Sequence, residues 1–133
     1  YTGSFGDTAL AAEVANTHIA SGADVLTGSA QQVVGAIGVA AEAGIPWLGT
    51  QSDQSPIAED IVVATQNYDW TAMVLDSIVK QQAGDAGGTV YQLTLANGGL
   101  QMLLNDSLPD DVKAGSQAAI DVIISCDIDT SGE

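Results

Sequence analysis

Basic side chains are almost absent from this sequence. Lys80 and Lys113 are its only cations and arginine is missing, against 17 acidic residues, so the 133 residues carry a net charge of −15. A surface of that sign repels polyanions and makes nucleic acid and anionic lipid poor partners. It fits a saline or halophilic source as well as an ordinary acidic protein. Cysteine is limited to Cys126. One thiol closes no internal disulfide and builds no zinc site, and no histidine or acid marks it as a nucleophile. The single histidine, His18, falls mid-helix in the predicted pattern, so no Ser/His/Asp set can be assembled. The acids Asp106, Asp110 and Asp111 lack the glycine and terminal glutamate of a calcium loop. No catalytic constellation, metal site or cofactor is therefore expected. No apolar run reaches the ~18 residues that a membrane span needs, and no signal peptide is visible at Tyr1. Aromatics are only 5%, which leaves Ala, Val, Ile and Leu to build the core.

What is present is an alternation of small-residue helices and short apolar strands. Asp7 is a good N-cap for a helix over Thr8–Ser21, stopped by Gly22. Ala23–Thr27 reads as a strand. A second helix over Gln31–Ala43 carries Gly35 and Gly38, expected to permit close packing on the sheet, and ends at Gly44. Ile45-Pro46-Trp47-Leu48 reads as a short strand with Trp47 and Leu48 buried. Ile61–Thr65 is a continuous apolar strand of the kind buried on both faces. Gln66-Asn67-Tyr68 is predicted as the following turn, and Asp69 as the cap of a helix over Trp70–Ala83. Thr89–Leu95 is β-like, Asn97-Gly98-Gly99 is a turn signal, and Leu100–Leu103 is read as a hairpin arm. A last helix starts at Ser107-Leu108-Pro109-Asp110-Asp111, with acids in its first turn. The tail from Asp127 to Glu133 is polar. Tyr1 to Phe5 reads as the end of a strand, which predicts that the chain is a piece of a longer protein. The expectation is one α/β domain over residues 1–133, a three-layer Rossmann-like sandwich with a mainly parallel sheet.

Ligands in such folds bind at the carboxyl edge of the strands, which directs attention to the segments that follow them. Gly49-Thr50-Gln51-Ser52-Asp53-Gln54 places several hydrogen-bonding side chains there, and Gln51 and Asp53 can bond hydroxyls or ring nitrogens. Gly3-Ser4-Phe5-Gly6-Asp7 leads into a helix N-terminus without the spacing or the lysine of a phosphate cradle. Phe5 either stacks on a flat ligand or plugs the core, and the residues alone favour the core. Tyr68-Asp69-Trp70 offers aromatic rings that can clamp a planar group, although Asp69 reads more simply as a cap.

Gly3-Ser4-Phe5-x-Asp7, Gly22-Ala23-Asp24-Val25, Gly49-x-x-Ser52-Asp53-Gln54, a strand ending before Asp69-Trp70, and the Gly98-Gly99 segment together resemble the basic membrane protein (BMP) family. These are substrate-binding lipoproteins of ABC importers, related to purine-nucleoside-binding proteins, with a type I periplasmic-binding-protein fold. The resemblance covers nearly the whole chain and matches the second lobe and C-terminal region. It implies one ligand-binding lobe here and an N-terminal lobe preceding Tyr1, which would carry the lipidated cysteine. It also implies no catalysis, a small polar ring compound such as a purine nucleoside or nucleobase as ligand, hinge closure around it, and ABC permease subunits as partners. The location implied is extracytoplasmic, on the periplasmic or outer face of the cell membrane. By position, Phe5 matches the aromatic residue that stacks on the base, Gln51 the aspartate that binds ribose hydroxyls, Tyr68 a strand-ending lysine, and Gln31 a glycine after the second strand. Some branches carry an Asn-Trp pair near Tyr68-Asp69-Trp70, which brings in Trp70. The alternative is a ligand-sensing regulatory domain of the same fold. Self-association is expected of an isolated lobe.

Overall fold

The computed structural model describes residues 3–85 and 87–126. The helices are α1 (Thr8–Ala20), α2 (Val33–Ala43), α3 (Thr71–Gln82) and α4 (Asp110–Ile124), with a 3-10 turn at Ser55–Ile57. The strands are β1 (Leu26–Thr27), β2 (Trp47–Gln51), β3 (Val62–Tyr68) and β4 (Leu100–Leu104), in one sheet of order β1-β2-β3-β4. Strands β1, β2 and β3 are mutually parallel, with Leu26 opposite Trp47 and Trp47 opposite Val62, and a shift of register between Trp47 and Leu48. The fold class is therefore α/β with a mainly parallel sheet, as the alternating pattern predicts. By contacts the chain divides into two compact units, Tyr1–Asn67 with Met102–Leu108, and Tyr68–Gln101 with Pro109–Glu133.

The first unit holds the buried core. It is built from Ala11 and Ala15 of α1, Val33, Ala36, Ile37 and Ala40 of α2, and Leu26, Trp47 and Val62 of the strands. Small residues at i and i+4 on α1 let α2 approach it closely. A Cβ built on Gly35 would overlap the Thr8 carbonyl oxygen, whereas one on Gly38 would meet nothing within 4 Å. The close approach is thus to the start of α1 and not to the sheet. Both helices end as expected: Asp7 Oδ1 accepts from the Leu10 amide (2.9 Å), and Gly22 and Gly44 take φ of 93° and 66°, where an L side chain is strained. Asn105 secures the far end of β4. Its amide donates to the Val63 carbonyl (3.0 Å), and its side chain donates to the carbonyls of Glu59 (2.8 Å) and Val62 (2.9 Å).

The second unit contains α3 and α4, neither of which buries a residue. Asp76 is its hub. It accepts from the Tyr91 hydroxyl (2.6 Å) and pairs with Lys80 (2.8 Å), whose ammonium also lies 5.3 Å from the Tyr91 ring. Asn97 staples the turn at 92–99: its Oδ1 accepts from the amides of Thr94 (3.0 Å) and Gly99 (2.9 Å), and its Nδ2 donates to the Gln92 carbonyl (2.8 Å).

Several boundaries differ from the sequence reading. Strand β1 is only two residues, because Ala23–Val25 precede its pairing with β2. Gln66–Tyr68 continue β3 and do not turn, since Thr50 and Gln51 of β2 supply partners for Gln66 and Asn67. Leu48 is 41% exposed while Trp47 is 1% exposed. Residues 89–95 form no strand, and β4 joins β3 and not a hairpin. Trp70 occupies the N-cap of α3, and Asp69 bonds the Thr71 amide from one residue earlier (2.9 Å). Residues 3–7 are irregular, while Tyr1, Thr2 and the tail from Asp127 lie outside the described residues.

The two glycines of α2 give opposite expectations for the same substitution. Gly35→Ala should destabilise by about 1–3 kcal/mol, because backbone atoms cannot give way cheaply. Gly38→Ala should stabilise by about 0.5–1 kcal/mol through helix propensity. Urea unfolding of both variants checks this, and equal effects would refute the helix contact.

Candidate functional site

In the first unit the site residues grow out of three chain turns. Ser4 Oγ accepts from the amides of Gly6 (3.3 Å) and Asp7 (3.2 Å), which folds residues 4–7 tightly ahead of α1. The Phe5 carbonyl accepts from the Gln32 amide (3.2 Å), so Phe5 is held beside the start of α2. The residue is 73% exposed, which removes the core-plug reading. Phe5 stands on the lining of a cavity of about 280 Å³ with Ser4, Thr27, Ser29, Gln32 and Trp47. Gln31, Gln51 and Asp53 are exposed and lie outside that lining. Asp53 Oδ1 is engaged by the Ser55 amide (2.9 Å), as a turn aspartate commonly is.

Behind this edge stands a network that the sequence reading missed. Trp47 Nε1 donates to Gln54 Oε1 (2.7 Å), Gln54 Nε2 donates to the Thr50 carbonyl (3.1 Å), and Thr50 Oγ1 donates to the Gly28 carbonyl (2.7 Å). Gln54, read as one more polar loop residue, is 7% exposed. The available signal was a large indole whose N–H needs a buried acceptor, but nothing in the spacing says which polar residue supplies it. Two non-glycine residues near this edge adopt left-handed backbone: Ala30 with φ 96° and Gln51 with φ 73°. Such conformations cost of order 1–2 kcal/mol and concentrate where a ligand is held.

In the second unit Tyr68 is half-buried and Trp70 is 54% exposed. Their rings meet edge to face, with centroids 6.2 Å apart at 86°. A cavity of about 550 Å³ lies against Asp69, Met73, Tyr91 and Asn97. The hydroxyl and amide of Thr71 hold the Asp69 carboxyl below its ordinary value. Lys80 and then Tyr91 do the same for Asp76, and Asp76 in turn raises the Lys80 ammonium and the Tyr91 phenol. Among the described residues no group of three or more His, Cys, Asp or Glu is placed to hold a metal, and no helix is long and apolar enough to cross a membrane.

These shifts fix the pH window of the Asp76 hub. A carboxyl depressed on folding contributes stability above its unfolded value and loses it as pH falls through the folded one. A phenol or ammonium raised on folding contributes below its unfolded value and loses it as pH rises through the folded one. The hub should thus act fully between about pH 4 and 10, the ordinary values of its acid and its phenol. Asp76→Asn should bring the Tyr91 ionisation back towards that of a free phenol, read from tyrosinate absorbance. An unchanged titration would show that Asp76 does not hold Tyr91.

The sequence model of the Bmp family, described as ABC transporter substrate-binding protein PnrA-like, matches residues 1–128. A search of curated proteins found no match. Among solved structures, a transcriptional activator of the comK gene from Bacillus halodurans superposes with a TM-score of 0.80 at 16% identity, over 100% of this chain and 46% of its own. A solute-binding protein of an ABC transporter system from Aeropyrum pernix K1 gives 0.80 at 20% identity, over 97% and 46%. Its counterpart from Conexibacter woesei DSM 14684 gives 0.71 at 22%, over 97% and 44%. The chain thus shares the fold of these proteins and spans less than half the length of each. With the family model matched over nearly all of its residues, the chain belongs to the PnrA-like family of ABC transporter substrate-binding proteins.

Proposed function

We propose that this chain is a ligand-binding portion of an extracytoplasmic solute-binding protein, lipid-anchored in its full-length form, that delivers a small polar ring compound to the permease of an ABC importer. The family match over residues 1–128 carries the reading. In this reading the 133 residues act as one ligand-binding lobe, a second lobe of the same protein closes over the solute about a hinge, and the chain performs no catalysis of its own. The span of less than half of each similar structure supports a further lobe.

Within the first unit, Phe5, Gln31, Gln51 and Asp53 are the proposed ligand-facing residues. An exposed phenylalanine held at the start of α2 supports a stacking role, since a ring left in water gains most from a flat apolar partner. Purine nucleosides and nucleobases are the first candidates. The departures at Gln51, Gln31 and Tyr68 from the family's aspartate, glycine and lysine make specificity the point to test. Tyr68 and Trp70, an aromatic pair in the second unit, are proposed as ligand contacts on their own account. A regulatory, ligand-sensing role is the second reading, favoured by the likeness in fold to the comK activator.

A thermal-shift screen of the full-length parent against nucleobases, nucleosides and sugars tests the proposal. A ligand at a hundredfold excess over its Kd stabilises by about 2.7 kcal/mol. A purine should raise Tm, and Phe5→Ala should weaken its binding by about fivefold to a hundredfold, given that stacking is worth about 1–3 kcal/mol per base. A shift with sugars alone would overturn the purine assignment, and unchanged affinity in both Phe5→Ala and Gln51→Ala would overturn the site.

Self-association of the isolated chain is part of the same proposal, supported by the exposed Val74, Leu75, Ile78 and Val79 on α3, each 45–63% accessible. Size-exclusion chromatography of the 133-residue chain should show a species larger than monomer, and Leu75→Glu with Val79→Glu should return it to monomer. A clean monomer without those changes refutes it.

A further inference from the structure

The turn that carries Gln51 has a strained backbone, and a buried side chain bonds to the residue before it. The Ser52 amide donates to the Thr50 carbonyl (2.9 Å) across Gln51, whose φ is 73°. A bond from residue i to i+2 with that sign of φ has the form of a γ-turn of the rarer, strained kind. The same Thr50 carbonyl accepts from Gln54 Nε2 (3.1 Å), and Gln54 is itself fixed from the other end by the Trp47 indole (2.7 Å). Thr50 Oγ1 reaches the Gly28 carbonyl (2.7 Å), and the Trp47 ring closes the circuit by packing on Gly28, where a built Cβ would stand 3.2 Å from the indole. Gly49 makes room for it: a Cβ there would overlap Thr65 Oγ1 and stand 3.1 Å from Gln54 Oε1. Trp47 and Gln54 are both buried and the bond between them is sheltered from competing water, while the bonds of Gln54 to Thr50 and of Thr50 to Gly28 are part-buried.

We propose that Trp47, Gln54 and Thr50 are positioning residues, whose closed ring of contacts through Gly28 locks Gln51 in its strained turn and thereby fixes the backbone from which Gln51 meets a ligand. The ring also ties down Gly28, two residues before the second left-handed residue, Ala30. Strain of this kind persists only where the surroundings over-determine it, and here the surroundings are a buried indole and a buried amide. The proposal rests on the reading of Gln51 as a ligand contact.

The test is a stability cycle on the 133-residue chain, with no ligand present. Gln51→Gly relieves left-handed strain, so its effect on Tm measures how firmly the turn is enforced. In a Gln54→Met background the amide is lost, the enforcement is gone, and the glycine has nothing to relieve. The effect of Gln51→Gly should be more favourable by about 3 °C with Gln54 present than in the Gln54→Met background, the shift that about 1 kcal/mol of strain gives at this size. General loss of packing from Gln54→Met lowers the single and the double variant alike and leaves that difference unmoved. Should Gln54→Met fail to fold, Thr50→Val is the milder background, and there too Gln51→Gly should be less favourable than in the native chain. Identical effects of Gln51→Gly in the native and altered backgrounds would overturn the proposal. Unchanged affinity in both Phe5→Ala and Gln51→Ala would undo the reading of Gln51 as a ligand contact and leave this cycle readable.

Discussion

A buried indole N–H must find an acceptor, and in this chain that demand shapes the edge where the candidate site lies. Trp47 is 1% exposed at the centre of the parallel strands. In a protein with few aromatics it is the largest fully buried side chain, so it supplies bulk that Ala and Val cannot. Leaving its N–H unpaired would cost about 1–3 kcal/mol. Gln54 turns inward to meet it, and a glutamine that turns inward must satisfy its own amide, which it does on the Thr50 carbonyl. Each step is a local hydrogen-bond requirement. Their sum converts an apolar packing residue into a constraint on the loop after β2.

The same economy of side-chain size governs the helices. Ala11 and Ala15 on one, and Gly35 and Ala36 on the other, let α1 and α2 approach until the Gly35 backbone meets the Thr8 carbonyl. The contact sits close to the Asp7 cap and to the amide of Gln32, which holds the Phe5 carbonyl. Close helix packing and the placement of Phe5 are thus one arrangement. A bulkier α2 would push the start of α1 outward and move the turn that carries Phe5 with it.

Much of this was legible in the sequence, because helix ends are written in single residues. Asp7 stands where its carboxylate caps a helix, and Gly22 and Gly44 stand where the chain needs a positive φ that a missing Cβ permits. The strands were harder to read. Gln66, Asn67 and Tyr68 have turn-like composition, yet they extend β3 because Thr50 and Gln51 offer a ladder beside them; a pairing partner overrides a weak local preference. Residues 89–95 show the reverse, with β-like composition but structure set by side-chain bonds from Tyr91 and Asn97. The polar loop at 51–54 was visible as a candidate edge. What could not be read is that one of its glutamines is inside and its neighbour three residues earlier is strained, since both facts follow from where Trp47 points.

Charge bears on what such an edge can hold. In a chain of net charge −15 with two cations, a further carboxylate at residue 51 would be opposed by the field of the whole surface. It could only accept hydrogen bonds, whereas the glutamine amide both accepts and donates. On the proposed reading, Gln51 therefore keeps the capacity to bind hydroxyls and gains the capacity to bind a carbonyl or ring nitrogen, without adding to the self-repulsion. That gain requires a fixed amide, because a mobile glutamine would lose rotamer entropy on meeting its ligand. The strained turn and the buried ring behind it supply the backbone part of that requirement before any ligand arrives.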